Sequence, residues 1–144
     1  MKKLFAVSVL VLACASASAN QFILTKGEAS VKGGNQSFAL DFVSNGDGTT
    51  LVAKVGIPDA DNAVVNLKGC GKGLPAGFMG QCNVARGELI VLVTSDTNAL
   101  LPKGQVSLGV FSVNYSDGKA RALAITSTEV ASPKGEDLPT SSAK

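Results

Sequence analysis

The sequence predicts an all-β fold of short antiparallel strands, a β-sandwich or a barrel. Three observations predict it. Alternation of apolar and polar residues with period 2 recurs along the chain. Clusters of Gly, Asn, Asp and Pro separate the alternating runs at roughly 8–12-residue spacing. No stretch shows a helical period with caps.

Each element follows from this pattern. Phe22 to Thr25 and Ala29 to Lys32 are short strand candidates near the start. Ser37 to Val43 alternates, with Phe38, Leu40 and Phe42 on one face. Asn45-Gly-Asp-Gly48 reads as a hairpin turn, because these residues tolerate positive φ. Thr49 to Ile57 puts Leu51, Ala53, Val55 and Ile57 on one face, and Pro58-Asp59 ends it. Val64 to Leu67 and Glu88 to Thr94 are further strands. Val84 to Val93 is continuous enough to be ambiguous, and Gly87 with the Ile-Val-Leu-Val run favours strand. Gln105 to Tyr115 places Val106, Leu108 and Val110 on one face and Phe111, Val113 and Tyr115 on the other. Ser116-Asp-Gly118 turns the chain. Arg121 to Val130 follows, with Leu123 and Ile125 inward. Pro133-Lys-Gly135 turns a last hairpin onto Glu136–Leu138, and residues 140–144 read as a disordered tail.

Ahead of this domain lies a different kind of segment. Lys2 and Lys3 precede a ten-residue apolar run, Leu4 to Ala13, and Ala17-Ser18-Ala19 fits an A-x-A cleavage site. Residues 1–19 therefore read as a secretory signal peptide with a bacterial look. The apolar run is shorter than the roughly 20 residues a membrane-spanning helix needs. No other segment reads as transmembrane. Val11-Leu12-Ala13-Cys14 resembles a lipoprotein box, which gives an alternative: a structural envelope component anchored by a lipid on Cys14. The other reading makes Cys14 one apolar residue of a discarded peptide.

Removing residues 1–19 changes the arithmetic. Lys2 and Lys3 go with them, so 13 basic residues become 11, against 11 acidic ones. A neutral domain has no long-range attraction for polyanions, which argues against nucleic acid. Of the 3 cysteines, Cys70 and Cys82 remain. Two thiols in an oxidising compartment have one possible pairing. The bridge closes a glycine-rich surface loop that would be very floppy without it; one reading makes it a structural staple, the other a staple that presents Leu74, Phe78 and Met79 to a partner.

The chemistry-bearing residues exclude much. The chain has no histidine, so Ser-His-Asp and Cys-His catalysis and His-ligated metals are ruled out. Gly71-x-Gly73-x-x-Ala76 lacks the helix a dinucleotide fingerprint requires, since Pro75 interrupts it. No G-x-S-x-G elbow occurs. A small carboxylate-dependent glycoside hydrolase stays as a minor alternative, because two of the acids could face each other across a sugar. Most of them sit in turn contexts. Asp59-Ala-Asp61-Asn62 offers oxygen donors at alternate positions, which makes Asp59 and Asp61 candidate calcium ligands and calcium the one candidate cofactor. A solvated Asx turn explains the same residues. Asn35-Gln-Ser37 and Asn114-Tyr-Ser116 are glycosylation sequons, inert in a bacterial exporter. Tyr115 is the one tyrosine, and it is a candidate for stacking on a ligand at a strand end.

The order of elements resembles a known family. Gly33-Gly34-Asn-Gln-Ser-Phe38-Ala-Leu40-Asp-Phe42-Val43 resembles the opening strand of cohesin-like modules. Lys103-Gly104-Gln-Val106-Ser-Leu108-Gly-Val110-Phe111-Ser-Val113 resembles their late strand. Leu123-Ala-Ile125 to Glu129-Val130, then Pro133-Lys-Gly135, resembles their closing hairpin. The resemblance spans Ala29 to Leu138, to a cohesin-like, carbohydrate-binding-module-like β-sandwich. The Tyr-Asp-Pro segment common in such modules is absent, and the Cys70–Cys82 loop is extra. The resemblance implies a nine-stranded jelly roll that binds another protein through one sheet face. The resulting expectation is a secreted or periplasmic, non-catalytic module that recognises a protein or a polysaccharide through a sheet face or a loop.

Overall fold

The computed structural model describes residues 20–29 and 35–143, and in it the alternating runs form ten strands. They are β1 (Asn20–Ala29), β2 (Asn35–Ser44), β3 (Thr50–Gly56), β4 (Ala63–Cys70), β5 (Phe78–Ala85), β6 (Glu88–Ser95), β7 (Gly104–Tyr115), β8 (Ala124–Ala131), β9 (Asp137–Leu138) and β10 (Thr140–Ala143). One 3₁₀ turn, Ala60–Asn62, links β3 to β4. The candidate signal peptide, Cys14, and residues 30–32 of the second early strand candidate lie outside the described residues. Among the described residues no helix is long and apolar enough to cross a membrane.

The strands form two five-stranded sheets, in the orders β10-β1-β2-β7-β4 and β5-β6-β3-β8-β9. All pairings are antiparallel except β1 with β10. The inward residues of both sheets form one core. Phe22 and Phe42 pack with ring centroids 4.7 Å apart, and Phe38 stacks on Phe111 at 5.6 Å. Leu51, Val55, Leu89, Val91 and Val93 come from the other sheet. Of the sandwich and the barrel that the period-2 pattern allows, the structure is the sandwich, with inward faces apolar and close-packed.

Four local expectations are corrected. Asn45–Gly48 does not make a hairpin. It joins β2 in one sheet to β3 in the other, because β3 finds its partners in β6 and β8. Asn20, itself buried, holds this turn by accepting from Asn45 N at 2.7 Å and donating to Asp47 at 3.0 Å. The second correction concerns β7. A register shift opposite Leu40 and Asp41 leaves Leu108 as an extra residue without a partner in β2, next to Gly109, whose φ is 150°. Parity switches there, so Val106, Leu108, Phe111, Val113 and Tyr115 all point inward and Val110 is left outside, 58% exposed. A bulge of this kind re-aims every side chain after it. Third, Phe78–Ala85 is strand β5, paired with β6 through a turn at Arg86 and Gly87 in which both φ angles are positive, the conformation of a tight hairpin. Fourth, the ordered chain does not end at residue 139. Thr140–Ala143 run parallel to Asn20–Ile23 and cover the open edge of β1.

Candidate functional site

The outer face of the β5-β6-β3-β8 sheet presents a contiguous apolar cluster with a polar border. The cause lies in β6. Leu89, Val91 and Val93 are fully buried, so strand alternation turns Ile90 and Leu92 outward. Leu92 pairs with Val52 of β3, and Ile90 with Lys54. On the far side Val52 faces Glu129 of β8, and Lys54 faces Ser127. On the near side Leu92 faces Gln81 of β5, Ile90 faces Asn83, and Thr94 faces Met79. Ile90, Leu92 and Val52 are thus neighbours that half-shield one another. Lys54, Glu88, Glu129, Gln81 and Asn83 surround them. An apolar centre inside a polar rim is the anatomy of a protein-docking patch.

The cystine fixes one edge of this face. Cys70 ends β4, the edge of one sheet, and Cys82 lies in β5, the edge of the other. Their sulfurs are bonded, with Cα atoms 6.1 Å apart. The bridge therefore ties the two sheets together and does more than close a surface loop. The strap between them also makes backbone hydrogen bonds of its own. Gly71 N–H donates to Leu108 O at 3.0 Å and Leu74 N–H to Gly71 O at 3.2 Å. Gly71 crosses Gly80 so closely that a Cβ on Gly80 would sit 2.9 Å from Gly71 Cα, which requires glycine at both positions.

This packing sorts the binding candidates. Leu74 and Phe78 are half-buried against the core. Met79 points outward from β5, 49% exposed, on the same face as Ile90 and Leu92. Tyr115 is corrected outright: it is 1% exposed and belongs to the core. Its hydroxyl donates to Pro58 O at 2.6 Å, and the Arg121 guanidinium lies 4.3 Å from the ring centroid. Burial raises the pKa of its phenol.

The candidate calcium ligands occupy the same end of the sandwich. Asp59 adopts a left-handed conformation, φ 53°, at the start of the 3₁₀ turn. Its Oδ1 accepts from Asn62 Nδ2 at 2.8 Å and its Oδ2 from Arg121 Nη2 at 2.9 Å. Arg121 also bridges to Asp117 at 2.5 Å. This hydrogen bond from Arg121, helped by the Lys119 N–H, lowers the Asp117 carboxyl pKa to about 2. Asp61 is exposed and lines a shallow cleft with Asn114 and Ser116. Among the described residues, no three His, Cys, Asp or Glu side chains gather closely enough to share a metal ion.

Val52, Ile90 and Leu92 were legible as strand residues but not as a site. The signal lay in the run Leu89-Ile90-Val91-Leu92-Val93, which is apolar at both parities. In a two-layer sandwich each sheet has one inner face, so such a strand must show apolar side chains to the outside.

Strand order, sheet pairing and layer packing define a cohesin-like β-sandwich. Solved structures of cohesin modules share its fold. One is a non-cellulosomal cohesin from the archaeon Archaeoglobus fulgidus, 15% identical with a TM-score of 0.64, covering 87% of this chain and 86% of that one. Another is a type I cohesin–dockerin complex from Clostridium thermocellum, 12% identical with a TM-score of 0.62, covering 88% and 89%. A third is the cohesin module of a family 33 glycoside hydrolase from Clostridium perfringens, 12% identical with a TM-score of 0.63, covering 88% and 98%. No protein-family model and no curated protein sequence matches the chain.

Proposed function

We propose that this chain is a non-catalytic binding module, exported from the cell, that docks another protein through the outer face of β5, β6, β3 and β8. The observation that carries the reading is the contiguous cluster of Val52, Ile90 and Leu92 within a charged and amide rim. Contiguous exposed apolar surface with a polar border marks interaction sites. The fold supports a protein partner, since one of the similar solved structures is a cohesin–dockerin complex. Polysaccharide is less favoured: the face carries no aromatic ring for a sugar to stack on, and the one tyrosine is buried. The reading as non-catalytic rests on the sequence, which has no histidine.

The test is affinity capture from the secreted fraction of the source cells, with the wild-type protein and the Leu92→Arg variant side by side. The expected result is one or more proteins retained by the wild type and lost by the variant, with equal thermal stability of the two baits. Equal retention by both would place binding elsewhere. Retention on an array of glycans, abolished by the same substitution, would replace the protein partner by a sugar.

A further inference from the structure

At one end of the docking face the surface dips. Across strands β6, β3 and β8, the rows carry Leu92–Val52–Glu129 and then Ile90–Lys54–Ser127. The next row is Glu88–Gly56–Ala124, which has almost no bulk at its centre. The resulting open hollow has a volume of about 440 Å³ and an almost wholly apolar lining, with Gly56, Ile57, Pro58 and Ala122 at its base and end. Ile57 N–H donates to Gly87 O at 2.8 Å, which ties the ends of β3 and β6 together beneath it. Thr126 forms one wall. A Cβ on Gly56 would lie 3.0 Å from the Thr126 methyl, so Gly56 lets the Thr126 side chain reach across β3. There its hydroxyl donates to Glu88 Oε2 and fixes the carboxylate on the rim. Glu88 is the one charged residue of the lining.

We propose that this hollow is a receiving pocket that takes one branched aliphatic side chain of the partner, with a lysine or arginine of the partner beside it on Glu88. The proposal rests on the docking reading of the face. An apolar hollow gains from an apolar occupant in proportion to the area removed from water. An occupant without a cation would leave the Glu88 carboxylate partly desolvated, with the Thr126 hydroxyl on it but no counter-charge, which is costly. The pocket therefore selects for the pair, and it gives the flat apolar cluster beside it a fixed register for its partner.

The experiment needs no knowledge of the partner. The purified, isotope-labelled protein is titrated with isopentylamine and followed by amide NMR shifts, with isopentanol and isovalerate as neutral and anionic controls. The expected result is saturable shifts at Gly56, Gly87 and Ala124, with the alcohol about threefold weaker, as an exposed ion pair predicts, and isovalerate weaker still. Ala124→Leu fills the hollow and should weaken the amine about tenfold, the equivalent of roughly 50 Å² of apolar contact. Ala122→Leu is a second filling variant in case the first perturbs β8. Glu88→Gln should erase the difference between amine and alcohol while leaving the alcohol bound. No saturable shift at these residues, or amine binding unchanged in both filled variants, overturns the pocket. Capture lost in Leu92→Arg alongside such a negative titration would overturn the pocket alone and leave the docking face standing.

Discussion

The two outer faces of the sandwich are built from strands of similar length and differ in what alternation turns outward. On the β5-β6-β3-β8 side, Ile90, Leu92 and Val52 lie next to one another across β6 and β3. On the β1-β2-β7-β4 side the exposed residues are mostly small and polar: Ser37 opposite Ser112, Ser112 opposite Asn66, and Asp41 opposite Ser107. Val64 and Val110 are more exposed than any apolar residue of the first face, 74% and 58%. They stand apart, however, with Asn66 and Ser112 between them. Total exposure does not make a docking surface; contiguity does, because only adjacent apolar groups can be desolvated together by one partner.

The sharpest way to break this comparison is to place the same charge on each face. Leu92→Arg puts a cation in the middle of the apolar cluster, where docking would bury it without a partner. A loss of capture of at least about 100-fold is expected, in the range of interface hot spots. Val110→Arg on the opposite face should leave capture unchanged. Both substitutions are at outward positions, so each should keep the melting temperature of the parent. The reverse result, loss with Val110→Arg alone, would exchange the roles of the faces.

Removing the cystine sharpens the comparison from the side. Cys70→Ala with Cys82→Ala frees the edge strands of both sheets, and the chain-entropy model gives a loss of about 3 kcal/mol for a loop of this size. Urea denaturation measures it. The consequence should be unequal on the two faces. β5 carries Met79, Gln81 and Asn83 of the proposed docking face and is an edge strand that pairs with β6 alone, whereas β7 is paired on both sides, with β2 and with β4. Hydrogen exchange should therefore accelerate in β5 more than in β7. Uniform acceleration would mean that the bridge stabilises both sheets alike.

How much of this was legible in the sequence depends on which interactions decided each feature. Period 2 identified most strands, because inward burial of Phe38, Leu40 and Phe42 writes itself directly into the alternation. The turn at Asn45–Gly48 was legible as a turn, but its role was not. Turn residues specify backbone angles, and the choice between a hairpin and a crossing to the other sheet was made by β3 pairing with β6 and β8. In β7, alternation read on from Val106 through Val110 because nothing local announces a bulge except one glycine among sixteen. The cysteine pairing was legible by counting. Its position between two sheets was not, since it depends on which edges β4 and β5 occupy. The outward apolar cluster of the proposed docking face lay in the doubly apolar run of β6, which becomes informative only once a two-layer fold is assumed.

The bulge is itself testable. Gly109 has φ 150°, and a Cβ there would come within 2.7 Å of the Phe111 ring and 2.8 Å of Gly69 O. Gly109→Ala should cost about 1–3 kcal/mol, as expected for side chains forced into glycine-only backbone regions. The lost stability should come with disorder at Val110 and in the adjacent β4, detectable as broadened amides, while Ile90 and Leu92 shift little. Equal broadening on both faces would show that the bulge supports the core as a whole.

The smallest expected effect concerns the loop that ties the sheets at the end remote from the Asn45 turn. Asp59 follows β3, Asp117 follows β7, and Arg121 leads into β8 with both carboxylates on its guanidinium. Gln36 holds the Arg121 backbone through paired contacts of 2.8 and 3.2 Å. The Asp117 pKa is lowered to about 2, below the roughly 3.9 of a free aspartate. A depressed folded-state pKa stabilises the fold above the unfolded value and stops doing so as pH falls through the folded one. The Asp117 contribution is therefore complete above about pH 4 and lost on acidification towards pH 2. Both carboxylates are solvent-exposed, so the effect on global stability is small. Carboxyl-carbon NMR of Asp117 should give a midpoint near 2, and Asp117→Asn should remove acid sensitivity from the amides of residues 116–123 while leaving capture at neutral pH intact. A midpoint near 4 would mean that Arg121 is held by Asp59, Tyr115 and Gln36 alone, and that the loop needs no charge from Asp117 to keep its place beside the docking face.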